Sequence, residues 1–327
     1  MEPESTDAAF HFAAEEYCMW RFCDESAWML WQTGRSAMLG RHQIANAEID
    51  LQAAERTGVR VVRRSSGGGT IFTDPGTLLY TLILPYREGD DVKRMEELFV
   101  AGPIVRALNG MGIPARLEGR NDIQVEGKKV SGLAQYLRQN RLCTHGSLLY
   151  NTDLETLSRV LRPDDEKIRS KALRSARSRV TNLAPHMEGQ PSIREFWNAL
   201  RQKLFETHDL REYKLTTQDV VQIEKIRDEK YASSNWTFDS APRFSFHNRK
   251  RFPLGGVEAF LDISEGQVKS CRIRGDFLSV ASVRSLEERL ESKPWRPEIL
   301  REALEGMDLT PCLGGITKEQ LLSCLFE

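Results

Sequence analysis

Three consecutive glycines at 67–69 lie between two stretches that favour strands, VRVVRR at 59–64 and TIFT at 70–73. Glycine opens backbone conformations closed to other residues, and lets a second group approach the main chain closely. A phosphate is the familiar occupant of such a place, but two phosphate-binding arrangements are absent. No lysine follows Gly69, and residues 70–73 do not open a helix, so this is not a Walker A loop. The G-x-G-x-x-G fingerprint of dinucleotide folds is missing too. The glycines therefore join strand to strand. Taken alone they fit a β-bulge or a hairpin turn better than a ligand cradle. Arg63 and Arg64 just before them give the stretch the look of an anion clamp.

The rest of the chain sets the fold class. FHFAAEEYCMWRF has apolar residues at helical spacing. AWMLWQTGRSAMLG predicts two strands around a turn at Gly34, followed by a Gly40-Arg41-His42-Gln43 loop, and residues 47–58 predict a helix stopped by Gly58. TLLYTLILPY is apolar enough for a central strand, and residues 90–112 form one amphipathic helix with acidic residues at its start. Residues 121–150 hold three short strands with turns at Glu126-Gly127 and Gln139-Asn140, and residues 154–161 form a helix. Helices and strands mix without strict βαβ alternation, so the expected class is α+β with a mixed or antiparallel sheet. From about Thr237 the texture changes. A meander with a hairpin turn at Ser264-Glu265-Gly266 and two short helices predicts a small second domain.

Composition excludes more than it selects. A net charge of −1 over 327 residues gives no argument for nucleic acid or a membrane surface. The six cysteines form no C-x-x-C pair, which points to reduced thiols. The acidic start of the chain has no apolar core of a signal peptide, and no apolar run reaches bilayer length, so a cytoplasmic location is expected.

Four further motifs carry chemistry. Asn121-Asp122 offers oxygen ligands or a turn. Lys128 and Lys129 follow a tight turn, and period two sends them to opposite faces, so at most one enters a pocket. Arg169, Lys171, Arg174, Arg177 and Arg179 crowd a short stretch with no acid among them, as in a solvated face or a loop closing over a polyanion. His145-Gly146 sits at the mouth of an apolar strand.

RRSSGGGTIFTD, GRND, GKKVSGLA, HGSLL and SKALRSARSRVTNL, in this order, resemble the lipoate–protein ligase A family along the whole chain. The resemblance implies an α+β catalytic domain of the biotin/lipoate ligase type at 1–240 and a small α+β accessory domain at 241–327. It implies ATP-dependent activation of lipoate to lipoyl-AMP, then transfer to a lysine of an apo-lipoyl carrier domain, either a 2-oxoacid dehydrogenase acyltransferase subunit or the glycine cleavage H protein. ATP and Mg2+ are implied as co-substrate and ion, with no tightly bound organic cofactor. Lipoate is the implied acid, octanoate a second one, and neither nucleic acid nor membrane is a partner. By matching position, Lys129 is the catalytic residue, touching both the carboxylate and the α-phosphate. Arg64, Gly69, Thr70, Ile71 and Phe72 line the nucleotide. Asn121 and Asp122 stand near the phosphates, with Asp122 a Mg2+ ligand. Lys171, Arg177 and Arg179 belong to a loop closing over the adenylate. Trp31, Ser66, Gly68, Gly132 and His145, with Gly69 and Lys129, hold the lipoyl chain. Two positions depart from the family pattern: Ile44 replaces an asparagine after the glutamine of the Gly-Arg loop, and Ala172 a glycine in the closing loop.

Two rival readings have different requirements. An octanoyl or lipoyl transferase of the same fold needs a nucleophilic cysteine and no ATP, and Cys143 is the one cysteine near a motif. A catalytically idle lipoyl-domain binder needs neither Lys129 nor Arg64. A biotin ligase is excluded by the missing G-R-G-R-x-G-R loop.

Overall fold

The computed structural model describes residues 5–119, 121–161, 180–238 and 244–326. Helix α1 (Ala8–Arg21) is followed by strands β1 (Ala27–Trp31), β2 (Ser36–Leu39), β3 (Arg60–Arg63), β4 (Ile71–Thr73) and β5 (Thr77–Pro85). Strands β6 (Ala115–Glu118), β7 (Asp122–Val125), β8 (Lys128–Arg138) and β9 (Arg141–Leu149) come next. β1, β5, β9, β8, β7 and β6 make one antiparallel sheet in that order. β1 and β2, expected as neighbours across Gly34, part company: β1 pairs with β5, whereas β2 pairs parallel with β3 and antiparallel with β4 in a second, smaller sheet.

Alternation along the strands explains how both faces of the large sheet are covered. Leu78, Tyr80, Leu82 and Leu84 of β5 face one core, built with helices Gly102–Gly110 and Ile193–Thr207. Leu79 and Ile83 face the other, where α1 lies between the sheet and helix Thr217–Ile226. Enclosed on two sides, α1 buries every residue from Ala8 to Met19, its acids Glu15 and Glu16 included. Asp7 caps it by accepting from the amide of Ala9.

Three expectations need correction. Two of the three strands in residues 121–150 are long, β8 with 11 residues and β9 with 9. Their turns fall where expected, with positive φ at Glu126, Gly127, Gln139 and Asn140. The single helix expected over residues 90–112 is interrupted by a π-helical turn, Glu97–Ala101. Pro103 has no amide hydrogen for an ordinary helical bond, and Gly102 packs against the carbonyl of Glu97 at a distance no side chain tolerates. The last part of the chain carries four short helices among the described residues where two were expected: Arg284–Leu290, Pro297–Ala303, Thr310–Leu313 and Lys318–Phe326. Pro297 and Pro311 each mark a start.

These four helices pack on an antiparallel meander of β10 (Phe246–Phe252), β11 (Gly255–Ser264) and β12 (Gln267–Gly275). Their buried apolar residues, among them Val257, Leu261, Ile273, Leu286 and Leu321, form a cluster of their own. No helix of the described residues is long and apolar enough to cross a membrane.

Candidate active site

Register across the large sheet lays the floor of a cavity of about 210 Å³. Trp31 on β1 stands beside Leu79 on β5, Leu79 beside Ser147 on β9, and Ser147 beside Gly132 on β8. One row along, Thr81, His145 and Ala134 are neighbours in the same way. Phe12 of α1, Met38 of β2 and residues 68–71 close over this floor. The lining is mostly apolar, with a few polar groups, as small-molecule sites are. A larger open groove of about 970 Å³ lies between residues 21–30 and 201–213. Four of its charges are paired with one another, Glu25 with Arg211 and Glu212 with Arg201, and the glycine loop and Lys129 are not part of it. The smaller cavity is where the chemistry-bearing residues meet.

Lys129 reaches it through a β-bulge. β7 and β8 pair Ile123 with Ser131 but Gln124 with Lys129, so Val130 is the extra residue. Val130 and Ser131 then point the same way, into the core and toward Tyr80. Lys129 is thereby returned to the cavity face, together with Gly132. Its ammonium is 2.7 Å from Asp122 Oδ1. A Cβ on Gly132 would lie 2.7 Å from that nitrogen, so the lysine needs the missing side chain. Lys128 is exposed. Asn121 lines the cavity as well, and its side-chain amide donates to the carbonyl of Leu133.

Both arginines are engaged with the protein's own carbonyls, although Arg64 also lines the cavity. Arg64 is buried, with Nε donating to Ser66 Oγ at 3.0 Å and its terminal nitrogens to the carbonyls of Met38, Gly67 and Gly69 at 2.7–2.9 Å. Burial, with help from neighbouring Arg63, lowers its pKa to about 10. Arg63 points the opposite way and donates to the carbonyls of Gly40, Gln43 and Thr237. The pair therefore ties the glycine loop to its surroundings instead of forming an anion clamp. A charged guanidinium is stable here because carbonyls surround it.

The glycines have separate tasks. Gly67 faces the C-terminal part of the chain, where a Cβ would come within 2.8 Å of both the carbonyl of Phe277 and the amide of Ser279. Gly68 has φ +88° and donates its amide to the carbonyl of Phe277 at 3.0 Å. Gly40 passes so near that a side chain on it would overlap the Gly68 carbonyl. Gly69 has nothing within 4 Å of where its Cβ would be, and it lines the cavity with Thr70 and Ile71. Phe72, expected beside the nucleotide, alternates to the other face of β4 and is buried among Ala37, Leu39 and Val160.

A polar chain runs behind the cavity wall. His145 Nε2 is 2.7 Å from Ser66 Oγ, and its Nδ1 is 2.9 Å from Glu15 Oε1. Thr81 donates to the same carboxylate at 2.6 Å, and the indole of Trp31 donates to Thr81 at 3.0 Å. With Glu15 as an acceptor-only carboxylate, every hydrogen finds an acceptor in one arrangement. Arg64 donates to Ser66, Ser66 to His145 and His145 to Glu15. Ser66 thus stands behind His145 without lining the cavity itself. Glu15, Thr81 and Leu278, which also lines the cavity, were not found from sequence. A carboxylate on the apolar stripe of Phe12, Glu15 and Met19 was the one available signal for Glu15.

Cys143 is fully buried beside Glu15 and His145, and burial pushes its thiol well above the ordinary range. A thiol in that condition is not a nucleophile. Of the six cysteines only Cys23 is exposed, and all are free. Lys171, Arg177 and Arg179, expected to close over the site, lie outside the described residues, as does Ala172.

A narrow, mostly apolar cavity with a lysine at its rim, on an α+β fold, is the geometry of a small-molecule site. Residues 7–205 match the lipoyl protein ligase A/B catalytic domain, and residues 241–325 match the bacterial lipoate protein ligase C-terminus. The chain belongs to the lipoate–protein ligase family. It is 33% identical over 324 residues to the lipoate-protein ligase LplJ of Bacillus subtilis, covering 98% of this chain and 97% of that protein. Among solved structures, the bipartite lipoate protein ligase of Thermoplasma acidophilum, studied with its E2 lipoyl domain, is 28% identical with a TM-score of 0.66. That match covers 75% of this chain and 97% of the other. Lipoate-protein ligase A bound with ATP is 26% identical with a TM-score of 0.62, over 73% of this chain and 96% of that one.

Proposed function

We propose that this enzyme couples lipoate to ATP, forming lipoyl-AMP and pyrophosphate, and then passes the lipoyl group to a lysine amine on an apo-lipoyl carrier domain. The observation that carries this reading is Lys129, a cation held over Gly132 at the rim of a narrow apolar cavity. The acid's hydrocarbon part fits between Trp31, Leu79 and Ile71, and its carboxylate is drawn to the ammonium. In the first step a carboxylate oxygen bonds to the α-phosphorus, and the bond to the bridging oxygen breaks with its electron pair leaving on pyrophosphate. In the second step the amine nitrogen bonds to the acyl carbon, the carbon–oxygen bond to AMP breaks, and the amine proton is lost. Negative charge grows on phosphoryl oxygens and then on the acyl oxygen, and Lys129 supplies a fixed positive charge near both. The amides of Gly69 and Thr70, on the open side of the loop, are the donors we assign to the nucleotide.

Asp122 would give a single carboxylate to a Mg2+ held mainly by phosphates and water, since it belongs to no cluster of three or more ligand groups among the described residues. Such an ion would neutralise phosphate charge. Arg64, engaged with carbonyls, acts in this reading by shaping the loop. We assign residues 1–240 to catalysis and 241–327 to an accessory role. Support for ATP comes from the ATP complex of the ligase A relative, and support for a lipoyl carrier from the archaeal system. The burial of Cys143 disfavours the transferase alternative. Lipoate-dependent exchange of label between ATP and pyrophosphate tests the reading: exchange supports it, and none, with carrier acylation from a donor other than ATP, overturns it.

A further inference from the structure

Among the described residues, every side chain lining the cavity comes from before residue 148 except Leu278, which follows β12. Its neighbours Phe277 and Ser279 are buried in the seam, while Leu278 is half-buried and turned to the cavity. It packs on the glycine loop, with Cδ2 2.8 Å from where a Cβ of Gly68 would stand.

The segment carrying it is fixed from both sides. Toward the large sheet, the amide of Gly275 donates to the carbonyl of His42 at 3.0 Å, the amide of Gly68 to Phe277, and the amide of Leu137 on β8 to Val280 at 2.6 Å. His42 stacks on Phe277, ring centroids 5.3 Å apart, and bonds Ser279 Oγ at 3.0 Å. From behind, the amides of Val280 and Ala281 donate to the carbonyl of Pro311 at 2.9 Å. Gly314, at φ +62°, presses on the carbonyl of Leu278, where a Cβ would approach to 2.1 Å. Backbone held this way fixes the point from which the Leu278 side chain projects, so the wall cannot swing back from a larger ligand as a free loop would.

We propose that Leu278 is a specificity-determining residue: the C-terminal part of the chain supplies one wall of the acyl cavity and thereby sets which carboxylic acids fit. This rests on the reading that the cavity holds the acid to be activated. One wall thus belongs to a unit with its own core. Acid selectivity therefore depends on the seam, and the cavity has its full shape only while the segment is docked.

The test is a panel of acids in the pyrophosphate-exchange reaction with the full chain: hexanoate, lipoate, decanoate and 5-phenylpentanoate. Leu278→Ala is expected to raise kcat/KM for the two bulkier acids relative to lipoate by about tenfold, the scale of one or two methylenes in a hydrophobic pocket. Leu278→Trp is expected to lower kcat/KM for lipoate by about tenfold while sparing hexanoate. Leu278→Met, of similar volume, keeps the parental ratios. Unchanged ratios in both the Ala and Trp variants overturn the inference, and so does an equal fall for every acid, which marks a purely structural role. Failure of the underlying functional reading looks different, because the parent chain then exchanges with no acid at all.

Discussion

Lys129 and Gly132 are paired through space: the lysine ammonium occupies the volume that any side chain at 132 would fill. This gives a prediction stronger than loss of the lysine alone. Lys129→Ala is expected to cut lipoate-dependent exchange sharply with the fold retained, because a half-exposed side chain contributes little to stability. The expected fall is about 10²-fold or more, the scale of removing one fixed donor from a developing oxyanion. Gly132→Ala, which leaves the lysine in the sequence but pushes its head aside, falls by a similar order. Lys128→Ala, exposed, stays near parental. Exchange assays on the three variants, with circular dichroism to check folding, decide it; a fully active Gly132→Ala breaks the link.

Arg64 makes a different prediction from an arginine that touches only phosphate. Its guanidinium bonds one hydroxyl and three carbonyls, and hydrogen bonds to a charged group contribute about 1.5–3 kcal/mol each. Lysine keeps the charge but has three donors and no planar fork. Arg64→Lys is therefore expected to lower the thermal midpoint by several degrees as well as to reduce activity. An unchanged midpoint with activity lost places the arginine's role in the ligand instead.

The seam is expected to be acid-sensitive through His42. Burial lowers its pKa to about 3, with Arg41, Arg274 and Arg63 acting in the same direction. An exposed histidine has its ordinary value near 6.5, so as pH falls the undocked state takes up a proton first and the docked state refuses it. Docking is at full strength above pH 6.5 and weakens by about 1.4 kcal/mol per pH unit from there toward 3. Hydrogen exchange at the amides of Gly68 and Leu137, corrected for the intrinsic rate, should rise by about tenfold per unit below 6.5. Corrected rates that stay flat between pH 7 and 5 disprove it.

Cys143 supplies the contrast with transferase chemistry. Cys143→Ser is expected to cost about 1–2 kcal/mol of stability by burying a hydroxyl, while lipoate-dependent exchange persists within a few-fold. Abolished turnover in a folded Cys143→Ser protein returns the cysteine to the mechanism.

Alternation and turn chemistry made much of the fold legible. The turns at Glu126-Gly127 and Gln139-Asn140 announce themselves through residues that tolerate positive φ, and β5 through its unbroken apolar run. What alternation could not supply is the position of Lys129. Strict period two places residues 129, 131 and 133 on one face, and only the bulge at Val130 returns the lysine to the cavity. The pairing of β1 with β5 instead of β2 was equally hidden, because it depends on contacts distant in sequence. Arg63-Arg64 next to glycine reads as an anion site from composition, whereas carbonyls of residues 38–43 and 237 take up both charges once the chain folds. Leu278 has no local signature. An isolated leucine after a strand becomes a cavity wall only through the seam.

The hydrogen-bonded chain behind the cavity has a consequence for anything that enters. Trp31, His145 and Thr70 all line the space, yet each has its hydrogen pointed elsewhere: the indole toward Thr81, the imidazole toward Glu15, the Thr70 hydroxyl toward Gln43. The carboxylate of Glu15 gathers the hydrogens of His145 and Thr81, and the Thr81 oxygen takes that of the indole. Along this part of the wall the polar residues are oily in effect though not in composition, and a hydrocarbon tail packed on them strands none of these three hydrogens.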